Sequence, residues 1–248
     1  MIRLRPRADW HPGTQALMRR RAKLDPSAPA PEEVMLAEAI AGTRLAGLVC
    51  GALIGTGSRC NVHAARLEGR ECALKIYKPR AIARHARRHA QPLAQYEYSM
   101  NLLYRARPAL ASHVAEPIDY LVTPRLQLFL QERLIGPLYY FWYQHASGAD
   151  RERARAGIEA LLEAAHSAGI YGLNLQALDL IVVADAAGEP IPKLFDFTDP
   201  ARRAPHGWRL AGLATRLGLI TPKRQDGRAL AQLHDFRALE RRLRRSGI

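Results

Sequence analysis

Between residues 45 and 77 the hydrophobic period of the chain becomes two, and no other stretch restricts its fold as tightly. Residues 48–54 read as a strand, Gly55-Thr56-Gly57-Ser58-Arg59 as a glycine loop, and residues 61–67 as a second strand. Glu68-Gly69 supplies a turn, and residues 70–77 read as a third strand. On that strand Cys72, Leu74 and Ile76 share one face while Ala73, Lys75 and Tyr77 share the other. A lysine at mid-strand among small and aromatic neighbours calls for an anionic partner.

Helical patterns flank this block. Residues 32–43 suit a short amphipathic helix whose acids, Glu32 and Glu33, lie in the first turn as the helix dipole prefers. Pro92 is placed to open a helix that runs to about residue 107 and carries Glu97. Strands are expected over 114–122 and 126–133, separated by Thr123-Pro124, and Gly136-Pro137 then breaks the chain before the run Tyr139-Tyr140-Phe141-Trp142-Tyr143. In 150–168 the apolar positions Ile158, Leu161, Leu162 and Ala165 fall at i, i+3, i+4 and i+7, a helix stopped by Gly169. Past Pro200 the chain is basic and loop-like, then helical over about 227–245, with Leu233, Phe236, Leu239 and Leu243 as its buried stripe. Residues 1–30 are basic and proline-punctuated, an extension partly helical over 13–24.

Charge narrows the partners. The 248 residues carry 37 Lys and Arg against 23 Asp and Glu, a net charge of +14, which favours anionic partners such as nucleotide phosphates, nucleic acid, anionic lipid or lipopolysaccharide. The three cysteines, Cys50, Cys60 and Cys72, form no Cys-x-x-Cys pair, which fits a reducing compartment. No stretch approaches the roughly 20 apolar residues that span a bilayer, and the amino terminus lacks the apolar segment of a signal peptide. The expectation is a cytoplasmic protein, with peripheral contact at an anionic membrane left open.

Three groups of residues carry candidate chemistry. Gly55 and Gly57 let backbone N–H groups approach phosphates closely, although a plain glycine hairpin turn is the simpler reading of that loop alone. Lys75, one strand later, would neutralise phosphates, and Glu97, 22 residues on, is the acid best placed to hold it; Glu116 and Asp119 flank a proline at a strand edge and suit that task less well. Asp196 ends an apolar strand, Lys193-Leu194-Phe195, and suits Mg²⁺, a hard cation held by one or two carboxylates plus phosphates. Asn174 and Asp179 stand five positions apart ahead of the apolar run 180–183.

In order and spacing these pieces resemble the protein-kinase-like superfamily over roughly residues 48–200. The loop matches G-x-G-x-x-G-x-V at Gly55, Gly57 and Val62, with Cys60 in place of the third glycine; Ala73-Leu74-Lys75 matches the A-x-K strand; Asp196-Phe197-Thr198 stands for D-F-G. The catalytic D-x-x-x-x-N has become Asn174 with Asp179, Gly172 stands where the preceding His would be, and no Ala-Pro-Glu segment follows. The chain is similar to the small bacterial PhoP regulatory network (YrbL-type) kinase-like proteins, on Leu53-Ile54-Gly55-Thr56-Gly57, Leu74-Lys75-Ile76, Asn174 to Asp179, and Ile191-Pro192 before Asp196. The Kdo and heptose kinases of lipopolysaccharide synthesis are neighbouring families.

The resemblance implies an α+β, bilobal kinase-like fold: a basic extension over 1–44, a β-rich N-lobe over 45–136 and a reduced helical C-lobe over 137–248. It implies ATP and Mg²⁺ as cofactors. Gly55, Thr56, Gly57, Val62, Ala73, Lys75, Glu97 and Glu132 would bind the nucleotide, Asp179 and Asp196 the metal, and Asn174, Lys75 and Asp196 would form the catalytic set. The acceptor is a hydroxyl on a protein or on a saccharide or lipopolysaccharide precursor. Because Asn174 orients a hydroxyl but accepts no proton, a pseudokinase that scaffolds or regulates a protein partner is the alternative. Nucleotidyl transfer is also open, and a nucleic-acid binder rests on charge alone.

Overall fold

The structure, a computed structural model, describes residues 31–57, 59–87, 89–168, 170, 173, 175–196, 226, 229, 230, 233, 236, 240, 241 and 244. The extension over 1–30, the Gly169 stop, Gly172, Asn174, Phe197-Thr198 and most of 201–248 lie outside these residues. The chain divides into two compact units: Met1–Leu103 with Ala115–Leu134, and Tyr104–Val114 with Ile135–Ile248.

The first unit is built on five strands in the order β1-β2-β3-β5-β4: β1 Val49–Thr56, β2 Cys60–Leu67, β3 Arg70–Tyr77, β4 Pro117–Val122 and β5 Gln127–Glu132. Every neighbouring pair is antiparallel. The β2–β3 turn falls on Glu68 and Gly69, both at positive φ (50° and 82°), the backbone that two-residue hairpins require. The alternation of β3 separates two cores. Cys72, Leu74 and Ile76 pack with Leu128, Leu130 and with Leu36 and Ile40 of α1 (Pro31–Ile40). On the opposite face Tyr77 and Phe129 pack with Ala81 of α2 (Pro79–Ala86) and with Leu93 and Ala94 of α3 (Leu93–Arg105). Burying one such aliphatic or aromatic side chain stabilises by about 1.5–3 kcal/mol, so a slip of one residue in β3 would forfeit both faces at once.

Helix α2 occupies part of the basic stretch 79–91, where apolar periodicity gave no sign of one. Its start is set by Pro79 in the first turn after an extended Lys78, and its face is anchored by Ala81 alone among fully buried residues. Ion pairs fasten the sheet rim: Arg70 to Glu116 at 2.6 Å, Arg133 to Glu71 at 3.1 Å, and Arg44 to Asp119. Glu116 and Asp119, the lesser candidates for Lys75, are thus engaged elsewhere.

In the second unit the long helix α6 (Gly148–Ser167) follows the short helices α4 (Pro108–Ala111) and α5 (Tyr139–His145). Ser147 caps α6 by accepting from Asp150 N–H at 3.1 Å, and Ala154, Ile158, Leu161, Leu162 and Ala165 form its buried stripe. The aromatic run is helix α5, a form its unbroken apolar pattern did not disclose. The hairpin β6 (Leu180–Ala184) and β7 (Pro190–Leu194) completes the described part. Its edge explains Gly136: a Cβ there would lie 1.9 Å from the Val182 carbonyl oxygen, so only glycine allows the approach.

Candidate functional site

Strand register aligns the first unit's candidate residues. Gly55 pairs with Val62, Val62 with Lys75 and Lys75 with Phe129, a single row across four strands. Directly opposed residues share a face, so Val62, Lys75 and Phe129 rise on the same side, with Ala73 two positions back. Gly55 ends that row without a side chain.

Lys75 is buried, its side chain 2% exposed, and its Nζ donates to Glu97 Oε1 at 3.2 Å, where the Glu97 side chain is 1% exposed. The ammonium also lies 5.5 Å from the Phe129 ring centroid. Glu97 reaches this spot because α3 is pinned at its start: the Gln127 side chain on β5 accepts from Ala94 N–H at 3.1 Å. One turn on, the Tyr98 ring lies tilted against Tyr120 at 5.0 Å and meets Phe129 edge-on, and Asn101 Nδ2 donates to the Glu97 carbonyl at 3.1 Å. The carboxylate therefore belongs to a fixed turn of a fixed helix.

Glu132 is not brought to this row. It pairs with Cys72, on the other face of the sheet, and its Oε2 accepts from Glu116 N–H at 3.1 Å. Thr56 is buried instead of open: its hydroxyl donates to Asn61 Oδ1 at 2.7 Å. Gly57 is exposed, and a Cβ added there would meet nothing within 4 Å.

In the second unit, Asp179 immediately precedes β6 and Asp196 follows β7 by one residue. Because Leu180 pairs with Leu194, both acids stand at the same end of the ribbon, each half-buried. Two carboxylates offer the hard oxygen donors that suit Mg²⁺, which is commonly held by one or two carboxylates together with phosphates. Among the described residues no cluster of three or more His, Cys, Asp or Glu gathers into a self-sufficient metal cage.

Asp226, whose side chain is 1% exposed, lies outside the candidate set that the sequence pattern marks. Its Oδ1 accepts from Leu173 N–H at 2.9 Å and its Oδ2 from His166 Nε2 at 2.9 Å. The readable sign was its isolation, since it is the one acid between Pro200 and His234. A pocket beside it, lined by Glu159, Glu163, His166 and Leu230 among others, includes none of the candidate site residues.

Away from these residues, burial shifts the ionisation of several described groups. Burial raises the Cys72 thiol and the Tyr139 hydroxyl, and burial lowers the His113 imidazole against a hydrogen bond from its Nδ1 to Pro192 O at 3.1 Å. Each stays neutral and serves packing.

No protein-family model matches the chain, and no curated protein matches it. Among solved structures it is similar to the PknI kinase domain of Mycobacterium tuberculosis, determined as a double mutant, with 18% identity and a TM-score of 0.52. The alignment covers 76% of this chain and 71% of that one. The fold is that of a protein kinase. In that frame the five-stranded sheet with α3 is the β-rich part of an α+β kinase-like chain, and the row through Lys75 lies on it. Among the described residues, no helix is long and apolar enough to cross a membrane.

Proposed function

We propose that the chain binds ATP with Mg²⁺ and transfers a phosphoryl group to a hydroxyl acceptor, on a protein or on a saccharide or lipopolysaccharide precursor. The observation that carries this reading is the buried Lys75–Glu97 pair at 3.2 Å, in register with the glycine-bearing strand. A buried ion pair adds little stability over apolar packing, so its presence on an open-loop sheet favours a working role. Lys75 would neutralise phosphates, Glu97 would hold Lys75, and Gly55 and Gly57 would admit the phosphates to backbone N–H groups. Asp179 and Asp196 would hold the Mg²⁺, which when bound neutralises charge on the transferring group. The YrbL-type resemblance supports the same assignment, and the basic balance of the chain fits a phosphate-bearing acceptor or an anionic membrane surface.

Thermal unfolding with ATP, with and without Mg²⁺, tests the nucleotide half. Ligand at about 100 times its Kd should add about 2.7 kcal/mol. At about 2–4 °C per kcal/mol for a chain of this size, Tm should rise by on the order of 5–10 °C. The rise is expected to need Mg²⁺ and to vanish in the Lys75→Ala, Asp196→Ala double variant. No shift at millimolar ATP would refute nucleotide binding.

Asn174 favours a second reading, a pseudokinase with the same nucleotide site acting through protein partners. A missing general base removes about 10²–10⁴-fold of rate. Asn174→Asp is therefore expected to raise phosphotransfer by that factor if the native loop is impaired. An unchanged rate in an active wild type would mean that Asn174 only orients the acceptor.

A further inference from the structure

We infer that Lys78 is a second phosphate-directed ammonium, one that the protein fastens to the glycine loop itself. The inference rests on the nucleotide-binding reading above and adds a contact that the sequence pattern does not assign. Lys78 follows the last residue of β3 and stands at the N-cap of α2 with an extended backbone, where its side chain makes no capping bond. That side chain turns to the loop instead. Its Nζ donates to Gly57 O at 2.7 Å and to Thr56 Oγ1 at 3.2 Å. Its backbone N–H donates to Arg59 O at 2.9 Å, so one residue holds the loop at three points.

The rest of the loop is arranged to receive it. Gly57 N–H closes the hairpin on Cys60 O at 2.9 Å, and Thr56 is kept in place by its own bond to buried Asn61. Among the described residues the ammonium bonds a carbonyl and a hydroxyl, both neutral, and no carboxylate answers its charge at the open tip formed by Gly57. An ammonium has three hydrogens, and the loop takes two of them. A polyphosphate brought to the backbone of Gly57 would thus meet a full positive charge bonded to the loop itself, while Lys75 supplies a buried one from β3. The ligand class is the phosphate chain of a nucleoside di- or triphosphate; the base and sugar make no demand on Lys78.

Calorimetric affinities for adenosine, AMP, ADP and ATP, each with Mg²⁺, should be compared in the wild type, Lys78→Met and Lys78→Arg. Amide hydrogen exchange of residues 56–61 without nucleotide accompanies them. Lys78→Met is expected to weaken ATP and ADP by about tenfold or more, leave adenosine unchanged, and speed exchange at Gly57. Lys78→Arg, which keeps the charge, should recover most of the ATP affinity. Equal weakening of adenosine and ATP would make Lys78 a structural latch alone and overturn the phosphate contact. Unchanged ATP affinity in Lys78→Met beside a binding wild type would overturn it too, with the nucleotide reading intact. A wild type that binds none of the four would overturn both.

Discussion

Lys75→Met is expected to destabilise the first unit by about 3–5 kcal/mol, because it strips a buried carboxylate of its ammonium partner. Neither side chain can fall back on water, with 2% and 1% exposure for Lys75 and Glu97. Glu97 cannot swing away either, since Gln127 and the Tyr98 contacts fix its helix. Glu97→Leu should cost a similar amount by stranding the lysine. The double variant Lys75→Met, Glu97→Leu is the decisive one. Replacing both charges by apolar groups of similar volume removes the desolvation cost along with the attraction, and such exchanges are often neutral or stabilising by 1–4 kcal/mol. Urea unfolding of the four proteins should therefore show two weakened singles and a recovered double. ATP binding should be lost in Lys75→Met and in the double variant, which have no ammonium to offer a phosphate, and weakened in Glu97→Leu, whose ammonium is no longer held in place. A double variant that stays as weak as the singles would mean that the pair is held for packing, and a double variant that still binds ATP would remove Lys75 from the site.

How far the sequence disclosed this arrangement depends on how each residue is held. The row through Lys75 was legible because alternation fixes which side chains share a face, and Glu68-Gly69 fixes where the strand turns back. Glu97 was legible by elimination, as the acid in mid-helix. So was the bond between them, expected from that placement and found at 3.2 Å; what the sequence did not disclose is Gln127, which pins the helix from a strand 33 residues away. Helix α2 escaped notice because its buried anchor is little more than Ala81, and a helix start written as Lys78-Pro79 looks like any basic loop. Nothing in the run of cations from Lys78 to Arg88 marks which one bends to the glycine loop; position at the strand end decides it. Glu132, expected in the nucleotide set, pairs with Cys72, and the register turns its side chain to the far face of the sheet.

Asp226 is the residue where structure adds most, and Asp226→Ala should weaken the second unit by about 3–5 kcal/mol. The carboxylate accepts two hydrogen bonds, from Leu173 N–H and from His166 Nε2, and bonds to a charged group are worth about 1.5–3 kcal/mol each. Alanine would leave Leu173 N–H buried without an acceptor, whereas His166 keeps some access to water with 14% of its side chain exposed. The two losses should therefore differ: His166→Ala is expected to cost less than Asp226→Ala, because it spares the bond to the backbone. Asp226→Asn separates charge from geometry. Its amide oxygen can still accept from Leu173, and its NH₂ can donate to a neutral His166 ring, so it should retain more stability than alanine. These bonds tie the last turn of α6 to the backbone N–H of Leu173, the residue before Asn174, which would orient the acceptor in the proposed reaction. If Asp226→Ala unfolds in urea within about 0.5 kcal/mol of wild type, the range of an ordinary surface change, the carboxylate is not the tether that its two bonds describe.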